Sequence, residues 1–155
     1  MREYVVLVDE NDKIIGKEEK IKAHKEGKRH RAFSIFIFDK KGRMLIQQRA
    51  FDKYHCSGLW TNACCSHPKI NEKTEQAIHR RLKEELGFDC ELKQIGKQDY
   101  NLKLNNGLIE NEIDYLFAGE YFGRRAGLIA LLIYAVSAVQ FKVFTYMYYK
   151  NIIGM

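Results

Sequence analysis

Residues 60–68 read W-T-N-A-C-C-S-H-P, a short run that ends on the only proline in the chain. In an extended segment residues two apart face the same way, so the Cys65 sulfur and the His67 ring look into one cavity and Cys64 turns away. Pro68 has no N–H to offer a neighbouring strand and fixes its own φ, which ends the strand and begins a turn. Residues 71–86 then carry polar capping residues, Ile78, Leu82 and Leu86 at four-residue spacing, and Gly87 just beyond, the pattern of an amphipathic helix. Its inner stripe passes Ile78, Arg81, Leu82 and Glu85, and charges beside a buried face are usually paired or bound. By itself Cys-x-His fits a buried structural cysteine beside a surface histidine as well as it fits a reaction site; the rest of the chain decides.

Upstream, Tyr4 to Val8 is a short β-rich run, and the polar turn Asp9 to Lys13 leads to Ile14 and Ile15, which predicts a hairpin. The charged stretch from Lys17 to Gly27 predicts a short helix or its exit loop carrying His24. A-F-S-I-F-I-F from Ala32 to Phe38 has almost no polar residue and predicts a strand buried on both faces. After the turn Asp39 to Gly42, Met44 to Gln48 is expected to return as its hairpin partner, ending at Arg49. Downstream, Leu92 to Leu104, the turn from Asn105 to Gly107, and Leu108 to Phe117 predict two further antiparallel strands.

The last of these strands alternates. Ile109, Asn111, Ile113, Tyr115 and Phe117 fall on one face, and Glu110, Glu112 and Asp114 on the other. Three stacked carboxylates repel one another, so that face is either a solvated edge or holds a cation. With His24, His30 and His67, Glu110 and Glu112 make a mixed nitrogen and oxygen donor set for a divalent transition metal; imidazole suits zinc or manganese, and added carboxylates favour more than four ligands. His55 and His79 are expected to be exposed polar residues.

Composition sets outer bounds. A chain of 155 residues, 46% hydrophobic and 30% charged, is one soluble globular domain rather than a disordered or fibrous chain. Met1 to Glu10 carries Arg2, Glu3, Asp9 and Glu10 around a short apolar run, which does not resemble a secretory signal, so a cytoplasmic location is expected. There Cys56, Cys64, Cys65 and Cys90 are reduced thiols, and their spacing matches no C-x-x-C zinc framework. The net charge of +6 is uneven: four basic residues and no acid lie beyond residue 120, leaving 22 Lys/Arg against 20 Asp/Glu upstream. No nucleic-acid footprint is implied.

Six ordered stretches between Tyr4 and about Glu120 resemble the type I isopentenyl diphosphate isomerases, metal-dependent isoprenoid enzymes on a Nudix-like α/β scaffold. They are E-K-I-K-A-H ending at His24, H-R-A-F-S from His30, Q-Q-R-A-F-D-K around Arg49 and Lys53, W-T-N-A-C-C-S-H-P, R-R-L-K-E-E-L-G-F around Glu85, and E-N-E from Glu110 to Glu112. The resemblance implies an α/β (α+β) fold with a Nudix-like mixed β-sheet packed against helices. It also implies roles. His24, His30, His67, Glu110 and Glu112 match the metal ligands, Cys65 the catalytic thiol and Tyr100 the assisting tyrosine. Glu85 matches the carboxylate for a Mg2+ that accompanies the diphosphate, and Lys20, Arg49, Lys53 and Arg81 match its basic contacts.

Such an enzyme interconverts isopentenyl and dimethylallyl diphosphate, adding a proton to an unactivated alkene and removing another from the neighbouring carbon. Two acid/base groups are needed. Metal-bound Glu112 with Tyr100 is expected to deliver the first proton and Cys65, as thiolate, to remove the second, with roles exchanged in reverse. Arg49, Lys53, Arg81 and a Glu85-bound Mg2+ would hold the diphosphate, and Trp60 would wall the cation-like intermediate or belong to the core. The further divalent metal is expected to be Mn2+ or Zn2+, with Mg2+ also open.

The rival enzyme is a Nudix pyrophosphohydrolase, whose box G-x5-E-x7-R-E-U-x-E-E-x-G-U is met here by Glu72, Arg80, Leu82, Glu84, Glu85, Gly87 and Phe88. Ser66 replaces the glycine and Arg81 the first box glutamate, trading a metal-binding carboxylate for a diphosphate-binding cation. From Phe122 the resemblance stops: residues 121–155 form an apolar, basic, acid-free tail after a domain of residues 1–120. A frame-shifted or truncated ending, a membrane-associated segment and a replacement core helix are the three readings, in that order, and an inactive domain that retains metal or partner binding is the third functional one.

Overall fold

The computed structural model describes residues 2–52, 56–104 and 106–121. Lys53, His55 and everything expected of residues 122–155 lie outside the described residues.

β1 (Tyr4–Val8) and β2 (Ile14–Glu19) form the expected hairpin. Its turn closes because Asp9 Oδ1 accepts from the amides of Asn11 and Lys13, at 2.9 and 2.8 Å. Helix α1 (Lys20–Glu26) follows at once, with the Glu19 carboxylate accepting from the amides of Ile21 and Lys22 at its start and Gly27 in the left-handed conformation at its end. A Cβ at Gly27 would also lie a tight 3.1 Å from the Ile109 side chain, which would have to give way slightly.

β3 (His30–Phe38) is central. β8 (Ile109–Glu120) runs parallel to it from His30 opposite Glu112 to Phe38 opposite Glu120, and β7 (Leu92–Lys103) pairs antiparallel with β8, setting Tyr100 opposite Glu112. On its other side β3 meets β1 at Leu7 and His30, and β6 (Cys64–Ser66) from Phe33 and Ser66 to Ile35 and Cys64. The sheet order is thus β2-β1-β3-β8-β7, with β6 also on β3.

Two expectations change. Residues 44–48 do not run along β3 as a hairpin partner: one bridge joins Phe38 to Met44, and β4 (Gln47–Gln48) pairs instead with β5 (Trp60–Thr61). Both flanks of β3 are already taken by strands from elsewhere in the chain. Nor is the carboxylate-bearing strand a solvated edge, because β8 lies between β3 and β7, and Glu112 and Asp114 are buried.

Alternation divides the sheet chemically. Phe33, Ile35 and Ile37 of β3, Cys64 of β6 and Phe117 of β8 form the core with Ala77, Ile78 and Leu82 of α2 (Thr74–Leu86). His30, Ser34, Cys65, Glu112 and Asp114 occupy alternate positions on the same strands and are therefore turned to the other face. Helix α2 starts three residues later than expected and ends at Gly87, whose φ of 72° only glycine adopts freely.

Candidate active site

Four elements bring four side chains to one point. His24 comes from α1, His30 from the start of β3, His67 from just past β6 and Glu112 from β8; one ligand atom from each lies within 4.8 Å of all the others. Nε2 of His30, His67 and His24 stands 3.1, 3.2 and 3.8 Å from the same oxygen, Glu112 Oε1. Ring centroids are 4.7 to 5.6 Å apart, closer than unlinked surface histidines would settle.

The backbone fixes how two of these rings face. Nδ1 of His24 lies 2.7 Å from the Lys20 carbonyl and Nδ1 of His30 lies 2.8 Å from the Lys28 carbonyl. A carbonyl only accepts, so the hydrogen is assigned to Nδ1 and a neutral ring turns its Nε2 lone pair on Glu112. Lone pair against carboxylate oxygen is repulsive unless positive charge lies between them. A proton on a ring would serve, but burial pulls His24 down and holds His67 down at about 4, against the pull of Glu112. The Glu112 carboxyl, although burial works against its ionisation, is kept well below the usual range by His30 and His67. Buried imidazoles, two of them oriented by backbone carbonyls and all three aimed at an ionised carboxylate, make a donor set that fits a divalent cation.

The remaining expected residues fall into three groups. Tyr100 joins the cluster, its hydroxyl donating to Glu112 Oε2 at 2.5 Å, and burial followed by the Glu112 charge raises that phenol well above its ordinary range. Cys65 lies on the same sheet face, exposed, 3.4 Å from Ser34 Oγ, and Cys64 is buried in the core, as alternation predicts. Although one side of Cys65 is exposed, the protein packed around its sulfur, followed by the Asp114 charge, raises the thiol to about 11, which favours the protonated form at rest. Glu110 is not in the four-residue group. Its carboxyl is raised to about 7, by burial first and by the Glu112 charge second, with Arg49 and His30 pulling the other way.

The basic residues are outside the four-residue group, although the Lys20 charge acts on His24 and His67. Arg81 bonds Glu84 at 2.9 Å and also pairs with Glu85, whose other oxygen accepts from Gln47 Nε2 at 3.0 Å. Lys20 Nζ is 2.8 Å from Glu3 Oε2. Trp60 is half-buried on β5. His79 lies on α2 away from the cluster and pairs with Asp89 at 2.6 Å. Three polar residues around Cys65 escaped attention as site residues: Ser34, Asn62 and Asp114. Ser34 is the one hydroxyl in A-F-S-I-F-I-F, and that polar interruption of an apolar strand was the available signal.

A model of the NUDIX domain matches residues 28–128. An isopentenyl-diphosphate Delta-isomerase of Serratia proteamaculans is 50% identical over 127 residues, covering 82% of this chain and 71% of that protein. The isopentenyl-diphosphate Delta-isomerase 2 of Photorhabdus laumondii is 53% identical over 121 residues, with 78% and 68% covered. The corresponding Burkholderia multivorans isomerase is 50% identical over 123 residues, with 79% and 70% covered. Among solved structures, a Deinococcus radiodurans protein superposes with TM-score 0.60 at 15% identity, over 78% of this chain and 74% of that one. A MutT protein of Methanosarcina mazei gives 0.52 at 18%, over 61% and 66%; these two likenesses speak for the fold alone. The mixed sheet, its helices and the domain match define a Nudix-domain protein. Within that class the chain belongs to the isopentenyl-diphosphate Delta-isomerase family.

Proposed function

We infer that this enzyme, which interconverts isopentenyl and dimethylallyl diphosphate, uses Cys65 and the Glu112–Tyr100 pair as its two acid/base groups. The observation that carries the reading is the convergence of three imidazoles on Glu112 Oε1 while Tyr100 holds Oε2. His24, His30, His67 and Glu112 would hold a divalent metal, Mn2+ or Zn2+, with Glu110 closing as a further ligand. Such a metal, when bound, supplies positive charge that keeps Glu112 ionised and fixed. A protonated Cys65 is suited to give its proton to the terminal alkene carbon, which leaves positive charge on the tertiary carbon. The Glu112 carboxylate, steadied by the Tyr100 hydroxyl, then takes the proton from the adjacent methylene; in reverse the two exchange tasks. This assigns the first proton in the forward direction to sulfur rather than to the carboxyl.

Arg49, Lys53, Arg81 and Lys20 would hold the diphosphate, together with a Mg2+ on Glu85. Arg81 and Glu85 now satisfy each other, so substrate and Mg2+ would divide that pair between them. Trp60 would wall the alkene. Hydrolysis is not favoured: the relatives carry the isomerase name, and Arg81 stands where a hydrolase box has a carboxylate. No helix among the described residues is long and apolar enough to cross a membrane. A cytoplasmic diphosphate-utilising enzyme remains the proposal for location. Incubating the chain with isopentenyl diphosphate, Mg2+ and Mn2+ tests the whole reading; dimethylallyl diphosphate supports it, and phosphate release without that product refutes it.

A further inference from the structure

Cys65 is held from its inner side by groups that the acid/base reading leaves unused. Asn62 is buried, and its amide makes four bonds. Nδ2 donates to the carbonyls of Ile35 and Cys64, both at 3.0 Å, and Oδ1 accepts from Thr61 Oγ1 at 2.8 Å and from Cys65 Sγ at 2.9 Å. The two carbonyls accept only, so reversing the amide would lose both of those bonds. Its oxygen is thereby committed to the thiol.

Ser34 completes the arrangement. It faces Cys65 directly in the β3–β6 register, with Oγ 3.4 Å from Sγ and 2.8 Å from Asp114 Oδ2. The same Asp114 oxygen accepts from Gln98 Nε2 at 3.2 Å. The hydroxyl hydrogen of Ser34 is spent on Asp114, which leaves its oxygen only a lone pair to offer the thiol. Two acceptor oxygens therefore share the sulfur's single hydrogen from inside, Asn62 Oδ1 at 2.9 Å as the main acceptor and Ser34 Oγ at 3.4 Å as the weaker one. Asp114 Oδ1, its other oxygen, is buried without a hydrogen-bond partner. A buried carboxylate so incompletely satisfied costs stability, and the neighbouring buried positions Ile113 and Leu116 show that this strand accepts apolar side chains.

We propose that Asn62, Ser34 and Asp114 are positioning residues for Cys65: their oxygens hold the sulfur in place and park its S–H inward in the resting chain, and a rotation about Cβ–Sγ turns that hydrogen to the open side of the site when the thiol acts as the acid. Asp114 acts through Ser34, by holding that hydroxyl in the accepting orientation. The proposal rests on Cys65 being an acid/base group, but part of its test does not.

The infrared S–H stretch of Cys65, identified by its disappearance in Cys65→Ala, reports the thiol's hydrogen bonding in the resting, metal-loaded chain. Removing an acceptor moves that band to higher frequency. Asn62→Ala should move it most and Ser34→Ala less, and Asp114→Asn should move it by releasing the Ser34 hydroxyl; if Asn62→Ala does not fold, Ser34→Ala carries the test. Turnover in Ser34→Ala and in Asp114→Asn should fall about tenfold at unchanged KM and unchanged Mn2+ affinity, as misplacement of a reacting group does. The double variant should lose no more than the worse single, because the two act in one line. An unmoved band overturns the hydrogen-bond assignment, whatever the enzyme's activity. A moved band with unchanged turnover, or losses that multiply, overturns the positioning role. A wild-type chain that makes no dimethylallyl diphosphate but shows the band shifts would refute the isomerase reading while leaving the thiol geometry standing.

Discussion

Two charged clusters in this molecule look alike in sequence and differ in kind. On α2 and the turn before it, Arg80 bonds Glu72 at 2.6 and 2.8 Å and Glu84 at 3.1 Å, while Arg81 takes Glu84 and Glu85. Opposite charges alternate at helical spacing, half-exposed, and satisfy one another. At the His24, His30, His67 and Glu112 cluster every group is buried or nearly so, the members come from distant parts of the chain, and their lone pairs meet. The first cluster pairs its charges within the chain, leaving only Arg81 Nε without a partner; the second needs positive charge from outside. Unmet demand, more than the density of ionisable residues, marks the cation site.

The largest expected effect comes from breaking the incomplete cluster. Glu112→Ala removes the atom on which all three imidazoles converge, and should abolish isomerisation. Metal affinity should fall by more than about 100-fold, since losing outer-shell partners alone costs roughly 10–100-fold. Calorimetric titration of the chelator-treated protein with Mn2+ or Zn2+ checks this. Retained tight binding would mean that the cation sits elsewhere.

Next in size is the separation of the two thiols. Cys65→Ala should lower turnover by about 100-fold or more, the scale of one acid/base group. Cys64→Ala, in the core beneath α2, should keep most of its turnover and lose stability instead, read as a lower midpoint in urea. The opposite pattern would reverse the assignment of the sheet's two faces.

Breaking the self-paired cluster should do less. Arg81→Ala removes pairs on a half-exposed helix face, worth about 0.3–0.5 kcal/mol each, so stability should hardly move. The KM for isopentenyl diphosphate should rise about tenfold with a smaller change in kcat, because a charged contact to the diphosphate is lost from ground state and transition state alike. A kcat loss at constant KM would place Arg81 in the chemistry.

These two clusters also mark what the sequence made legible. Alternation along Ile109 to Phe117 put Glu112 and Asp114 on one face, and the x-spacing of Cys65 and His67 put both on the other side of the sheet from Cys64; each follows from a strand's period of two. The end of α2 followed from Leu86 and Gly87, while its start lies three residues beyond the expected one. The turn at Asp39 to Gly42 misled, because a good local turn promises a hairpin only where the strand's flank is free. β3 had given its flanks to β1, β6 and β8, and pairing with residues 64–66 and 112–120 leaves no mark in a local window. The burial of Asp114 was hidden for the same reason, since an edge and a centre strand can share one pattern. Asn62 and Ser34 were visible as polar residues, but their bonds to one sulfur depend on a strand register that spacing cannot supply.

The smallest effect concerns alkaline pH, and it sharpens the contrast between the two faces at the level of neighbouring residues. Cys64 is fully buried, and burial raises its thiol from the ordinary value of 9.0 to about 12, with the charge of Cys65 adding to the rise. A group whose folded pKa exceeds its unfolded one binds more protons in the folded state as pH climbs between the two. Its contribution to stability is therefore fully present below about 9 and is lost progressively as pH rises toward about 12. The thermal midpoint should accordingly fall with rising pH across that window. Cys64→Ala, although less stable at neutral pH, should show a shallower fall, because the group that must ionise on unfolding is gone. Cys65 is also raised, so the slope should shrink rather than vanish in the single variant. Midpoints measured at several pH values for both proteins decide it: parallel curves would mean that the Cys64 thiol is not desolvated, and the packing of β6 against α2 would need a different account.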